Sequence, residues 1–282
     1  MEHHQLWITG VVNKLLGKYV AALLAFLHIK VSDPVHPIPN HIAVELVVIL
    51  LAVVFFGWLR TRLSVNRPGI MQQLCEMLLT NPMGIGARDL LDDIIGHHGR
   101  AFLSVVGGVG LFVLFCNLIS LIPGFESPTA NITVTIGCAL VAFFYYHSSG
   151  IRHHGARRYL KQFLGPLRPM SPLMFIIMLP LMVLMIIIET VSHGARVLSL
   201  SVRLFANMFV SELLYGVFLG LAMSAFSVGW SLSPVVGGVM LSLPLTLPIP
   251  FMGLHIFVAV LQGFVFTLLP IIYLSGAVAE EH

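Results

Sequence analysis

Between Arg168 and Glu280 the chain has only four Lys, Arg, Asp or Glu residues, Glu189, Arg196, Arg203 and Glu212. Arg203 is the most constraining of them. It lies within SLSVRLFANMFVSELLYGVFLGLAM, residues 199–223, with two or more turns of apolar sequence after it. A guanidinium stays charged at physiological pH. Holding it at mid-bilayer depth costs about 2.5–3.5 kcal/mol even on the lenient insertion scale, so an intramembrane arginine points to an ion pathway or a buried partner. An arginine that merely snorkels belongs near a helix end.

Composition settles the class. The 282 residues are 57% hydrophobic and 10% charged, against about 25% charged in a soluble domain. The chain is therefore expected to be an all-α, polytopic integral membrane protein. The net charge of +3 comes from bases outside the apolar runs and does not indicate nucleic-acid binding. His97, His98, His153, His154 and His282 lie in polar connections and read as solvated residues. Cys75, Cys116 and Cys138 have no zinc or disulfide spacing. Residues 1–20 lack the layout of a removable signal peptide.

A crossing helix needs about 20 mostly apolar residues. Ile42 to Leu59, Ala101 to Ile122 and Thr129 to Tyr146 supply three. The intervening Pro68 to Ile95 holds Arg88, Asp89, Asp92 and Asp93 and is expected to lie on the membrane surface as amphipathic helices. Two longer apolar stretches follow, 172–226 and 250–279. The first would make roughly 80 Å of helix. It is either two spans broken near Ser192-His193-Gly194 or one long, tilted helix.

Arg60, Arg62, Arg67, Arg88 and Arg100 fall in one connection, and Arg152, Arg157, Arg158, Lys161 and Arg168 in another. The positive-inside rule makes both cytoplasmic. If 172–226 crosses once, the N-terminus is outside and the C-terminus inside. The tail Glu280-Glu281-His282 has no Lys or Arg to decide the matter.

Seven residues are nearly two helical turns, so Glu189, Arg196 and Arg203 share a face, with Ser199 and Asn207 one turn either side of Arg203. Glu212 points roughly the other way. His193 joins this set, and in the last span His255 and Gln262 repeat the seven-residue spacing. Intramembrane Glu and His chains serve as proton relays. Histidine titrates near neutrality and can exchange protons, whereas arginine can act only electrostatically. Interhelical glue is the bland alternative, favoured for Ser199 or Asn207 taken alone.

RLFANM at 203–208, the following Glu212, GLHIFVAVLQGFVFTLL around His255 and Gln262, and the ending YLSGAVAEEH resemble subunit a of the F-type ATP synthase, bacterial type. NLISLIPGFESPTANITVT at 117–135 resembles that family's mid-chain hairpin. The resemblance covers about residues 36–282. It implies that Arg203 is the essential stator arginine, which meets the ionised carboxylate of each passing c-subunit and blocks leakage between two offset half-channels. Gln262 would be its neighbour on the last helix. Glu212 and His255 would line the outer half-channel, and Glu189 and Ser199 the cytoplasmic one, with Asn207 also on the proton path. Glu189 and Glu212 would then lie about 21 and 13 Å along the helix from Arg203.

The resemblance also implies about five crossings in a single membrane domain. Residues 1–41 would face outside, 42–168 would hold three spans and the surface helices, and 169–282 would form a tilted hairpin carrying the proton path. The expected setting is the bacterial inner membrane. The partners would be the c-ring, the peripheral-stalk subunit b, other ATP synthase subunits and lipids, with no cofactor. The family commonly has Asp where this chain reads Asn117-Leu118-Ile119-Ser120, so no proton role is expected there. A proton-coupled secondary transporter or channel is the rival reading, but the chain shows no internal repeat. No HExxH motif and no phosphate-binding G-x-x-x-x-G-K-[ST] loop is present, which leaves ATP chemistry to partners.

Overall fold

The computed structural model describes residues 6–26, 28, 36–65, 67–81, 86–122, 125–162, 172–242, 246 and 248–278. Among them the regular structure is all helical. In chain order the helices are α1 (Trp7–Phe26), α2 (Asn40–Arg62), α3 (Ile70–Leu79), α4 (Ala87–Ile94), α5 (Leu103–Leu118), α6 (Ile132–His154), α7 (Ala156–Gln162), α8 (Pro172–Leu232), α9 (Pro234–Met240) and α10 (Pro248–Val278). Tight 3₁₀ turns occupy His97–Phe102, Ile119–Leu121 and Pro128–Ala130.

Among the described residues, six helical segments are long and apolar enough to cross a membrane. Five coincide with the five expected crossings. The sixth is α1, in which Lys14, Lys18 and Asn13 dilute an otherwise apolar sequence. The charged segment between the first two expected spans forms the short helices α3 and α4.

The long apolar stretch at 172–226 is one unbroken helix. α8 has 61 residues and runs through Ser192-His193-Gly194 without interruption, with Pro180 also inside it. A glycine costs a helix interior only about 1 kcal/mol. Away from water, an opened backbone turn would leave several polar groups unpaired at greater cost. The helix is therefore the cheaper state through this sequence. His153 and His154, expected in a loop, form the last turn of α6 instead.

The chain divides into two compact units. The first comprises residues 1–72, 111–134 and 204–263. Its core gathers Val44 and Val48 of α2 with Cys116 and Ile119, flanked by Phe112, Phe115 and Phe125. Beside it, Val12, Ile38 and Ala43 form a smaller cluster. Buried Asn13 ties α1 to the approach to α2: its amide donates to the Ile38 carbonyl and accepts from the Ile38 N–H, both at 3.0 Å. This pairing satisfies a buried polar side chain within an apolar cluster.

The second unit comprises residues 73–110, 135–203 and 264–282. Leu91, Phe102, Val106, Tyr146, Tyr159, Ile271, Leu274 and Ala277 make its core. At its charged edge Arg100 grips Asp92 through two guanidinium nitrogens at 2.9–3.1 Å. The fork matches the carboxylate and fixes the turn that follows α4.

Candidate functional site

In the first unit the polar residues singled out by sequence are held by parts of the chain that looked unremarkable. His255 of α10 is buried. Its Nδ1 meets Ser211 Oγ of α8 at 2.7 Å, and its Nε2 meets Ser120 Oγ at 2.9 Å and the Asn117 carbonyl at 3.0 Å. A carbonyl can only accept, so the contact to Asn117 assigns a proton to Nε2. The Ser211 hydroxyl then donates to bare Nδ1 when the imidazole is neutral, and turns to accept from Nδ1–H when it is charged. Both protonation states are served without moving a heavy atom.

Glu212, the residue after Ser211, accepts the Ser127 N–H at 2.6 Å. Ser127 Oγ in turn donates to the Cys116 carbonyl at 3.1 Å and lies 2.6 Å from Thr129 Oγ1. Thr129 Oγ1 donates to the side-chain Oδ1 of Asn117, and the main-chain carbonyl of the same residue faces His255. Glu212 and His255 are thus joined through Ser127, Thr129 and Asn117. Two hydroxyl protons serve three contacts here, so the network can rearrange by rotating hydroxyls alone.

The sequence draws no attention to Ser127, Thr129 or Ser211, and no proton role is expected from it at Asn117 and Ser120, which the structure nevertheless places against His255. Small polar residues in a Pro- and Gly-marked connection are common everywhere. Only the 3₁₀ turns Ile119–Leu121 and Pro128–Ala130, which fold the connection back on itself, bring them to one place.

Gln262 is fully buried, and neither its amide nitrogen nor its carbonyl oxygen has a hydrogen-bond partner among the described residues. Asn207 is half-buried on α8.

The second unit holds Glu189, Ser199 and Arg203. Arg203 is exposed, and its only side-chain hydrogen bond among the described residues is a long 3.4 Å contact to Ser199. Exposed Leu198 and Val202 flank it. About three to four turns before Arg203, Glu189 Oε1 lies 3.2 Å from His193 Nε2, and His193 Nδ1 lies 2.8 Å from Tyr146 Oη of α6. Arg196 sits over the Tyr273 ring, 5.0 Å from its centroid, an electrostatically favourable placement for a guanidinium. Near them His147 Nδ1 is bonded to Tyr159 Oη at 2.7 Å. No group of three or more His, Cys, Asp or Glu able to hold a metal ion occurs among the described residues.

Long apolar helices with ionisable side chains bonded inside them define a multi-pass α-helical membrane protein. A profile of the family described as ATP synthase A chain matches residues 42–275. ATP synthase subunit a of Koribacter versatilis is 39% identical over 279 residues, 99% of each chain. The subunit a of Solibacter usitatus is 40% identical over 246 residues, covering 87% of this chain and 90% of that one. ATP synthase subunit a 1 of Pelobacter propionicus is 37% identical over 234 residues, covering 83% and 86%. The chain belongs to the ATP synthase A chain family, the proton-translocating membrane-sector subunits of that complex.

Proposed function

We propose that this chain provides two offset proton half-channels to a rotating ring of c-subunits, and that Arg203 keeps the two apart. The observation that carries the reading is the exposure of Arg203 on an apolar helix face without an acidic partner among the described residues. A permanent charge in such surroundings needs a counter-ion from outside the chain. The ionised carboxylate of a c-subunit is the group that would supply it. Its attraction to Arg203 favours loss of the carboxyl proton as the ring passes, and no proton can cross a site occupied by a guanidinium.

In this reading Glu212 and His255, with the hydrogen-bonded residues between them, form the outer half-channel. Glu189 and Ser199 line the cytoplasmic one, and Asn207 and Gln262 flank the ring-facing step. Each charge carried through 100 mV releases about 2.3 kcal/mol, which biases the ring's rotation. The chain sits in the bacterial inner membrane with its N-terminus outside and its C-terminus in the cytoplasm, and the peripheral-stalk subunit b holds it against rotation.

ATP-driven proton pumping into inverted membrane vesicles tests the reading, comparing the assembled wild-type complex with Arg203→Ala. Loss of pumping with the complex still assembled is expected. Normal pumping by Arg203→Ala would reduce Arg203 to a packing residue and end the proposal.

A further inference from the structure

The second unit contains a histidine whose bonding repeats the logic of His255. His193 has an acceptor, Glu189 Oε1, at 3.2 Å from Nε2 and a hydroxyl, Tyr146 Oη, at 2.8 Å from Nδ1. In the neutral imidazole Nε2–H donates to the Glu189 carboxylate and Tyr146 donates its O–H to Nδ1. In the imidazolium Nδ1–H donates and the Tyr146 oxygen accepts. The tyrosine ring, 5.9 Å away and nearly parallel to the imidazole, holds this geometry in both states.

We infer that His193 is a proton-carrying residue that exchanges protons with Glu189, and that Tyr146 is the residue that positions it. The inference rests on the reading of Glu189 as lining the cytoplasmic path. In the exchange the Nε2–H bond of the imidazolium breaks and an Oε1–H bond forms on Glu189. The electron pair stays on Nε2, which then accepts the new carboxyl O–H, while Nδ1–H keeps its bond to Tyr146. The reverse step recharges the imidazole.

The groups facing His193 come from several elements. On its own helix Glu189 attracts the imidazolium, and Arg196, one turn on, repels it. From α6 come Tyr146 and His147, the latter with its ring centroid 4.8 Å away. Tyr159 of α7 is bonded to His147, and the Tyr273 ring of α10 lies 5.9 Å from the Tyr146 ring and 5.0 Å from the Arg196 guanidinium, which also hydrogen-bonds Tyr146. Glu189 and Arg196, the one attracting and the other repelling the imidazolium, both lie within about one turn of the imidazole.

The chemical reason to interpose an imidazole is capture. At a given pH above 7 an ordinary imidazole is protonated about a hundredfold more often than an ordinary carboxyl. During ATP-driven pumping into inverted vesicles the complex must take protons from the medium on the cytoplasmic side. Without His193 uptake should fail progressively as pH rises.

The test measures that pumping across about pH 6 to 8 in assembled complexes carrying His193→Ala, His193→Gln, Tyr146→Phe or Glu189→Gln. Membrane-bound ATP hydrolysis reports assembly. Both His193 variants are expected to pump near the wild-type rate at the acid end and roughly tenfold more slowly at the alkaline end. Added imidazole should restore His193→Ala there. Tyr146→Phe should show the same trend more weakly.

A loss that is equal at every pH and indifferent to imidazole would make His193 a packing residue and overturn the inference. Unchanged pumping by both His193 variants, with Glu189→Gln inactive, would overturn it while leaving the half-channel reading intact. If Glu189→Gln pumps normally, the half-channel assignment of Glu189 fails by itself, and with it the partner that His193 requires.

Discussion

Glu212 accepts a hydrogen bond from the backbone N–H of Ser127 at 2.6 Å, across 85 positions of sequence. The donor is main chain, so no side-chain substitution short of proline removes it. The acceptor is one carboxylate oxygen, and an amide oxygen can take its place. Glu212→Gln should therefore assemble normally while losing the group that exchanges protons. ATP-driven acidification near zero, with wild-type amounts of the subunit in the membrane, is the expected result. Equal loss of subunit and activity would mean that the charge itself holds the connection in place.

Ser211→Ala removes the hydroxyl that serves His255 Nδ1. A buried nitrogen left without a partner costs about 1–3 kcal/mol. Both protonation states use the hydroxyl, but an unpaired N–H of the charged imidazolium costs more than a bare nitrogen, so pumping should become more steeply pH-dependent than in the wild type. Ser211→Thr keeps the hydroxyl and should keep the wild-type profile. Measuring initial pumping rates against pH for the two variants side by side checks this.

Asn117 receives the Thr129 hydroxyl on its side-chain oxygen, while its amide nitrogen has no partner among the described residues. Asn117→Asp therefore gives up no hydrogen bond and should assemble and pump. Asn117→Leu removes the side-chain acceptor of the Thr129 hydroxyl, which can then turn only to Ser127, a net loss of one buried hydrogen bond costing about 0.5–1.5 kcal/mol. It should lower the temperature at which the assembled complex loses activity, and a thermal inactivation series on both variants distinguishes them.

A Cβ added at Gly150 of α6 would run into the Tyr159 ring of α7 and lie 3.0 Å from the Ala277 carbonyl oxygen. Tyr159 cannot swing away without breaking its bond to His147. Gly150→Ala should destabilise the second unit by about 1–3 kcal/mol, the usual result of overpacking. Limited proteolysis in the connection after α6, faster in the variant than in the wild type, would register it.

Tyr159 also sets an alkaline limit. Burial pushes its phenol above the ordinary range, chiefly because the anion would lose water contact. A folded-state value above the unfolded one means that this contribution to stability is complete below about pH 10 and is lost as pH rises beyond it. The docking of α7 should loosen with alkali, and Tyr159→Phe should remove that pH dependence at the cost of the bond to His147. Thermal inactivation measured on both sides of that range provides the comparison.

The class of protein was legible because solvent dictates composition. A chain with so few charges cannot face water along its length, and five of the six membrane-length helices follow from apolar runs alone. Glu212, His255 and Arg203 stood out for the same reason, since an ionisable group among lipid-compatible residues is costly and calls for a function. The length of α8 was not legible. Ser192-His193-Gly194 is compatible with a turn, and only the cost of unpaired backbone away from water favours continuing the helix. Nor did sequence show that Ser127, Thr129 and Asn117 link Glu212 to His255.

Sequence by itself determined which runs are apolar enough to enter a membrane and which residues within them are ionisable, because transfer free energy depends on each side chain separately. Tertiary structure alone decided which hydroxyl serves which imidazole nitrogen, that Tyr146 meets His193, and that Arg203 remains exposed. Those relations depend on hydrogen-bond distances and angles between segments up to 138 residues apart, as from Asn117 to His255. Hydrogen bonds weaken steeply with misalignment, so no pattern along the chain encodes them until the helices pack.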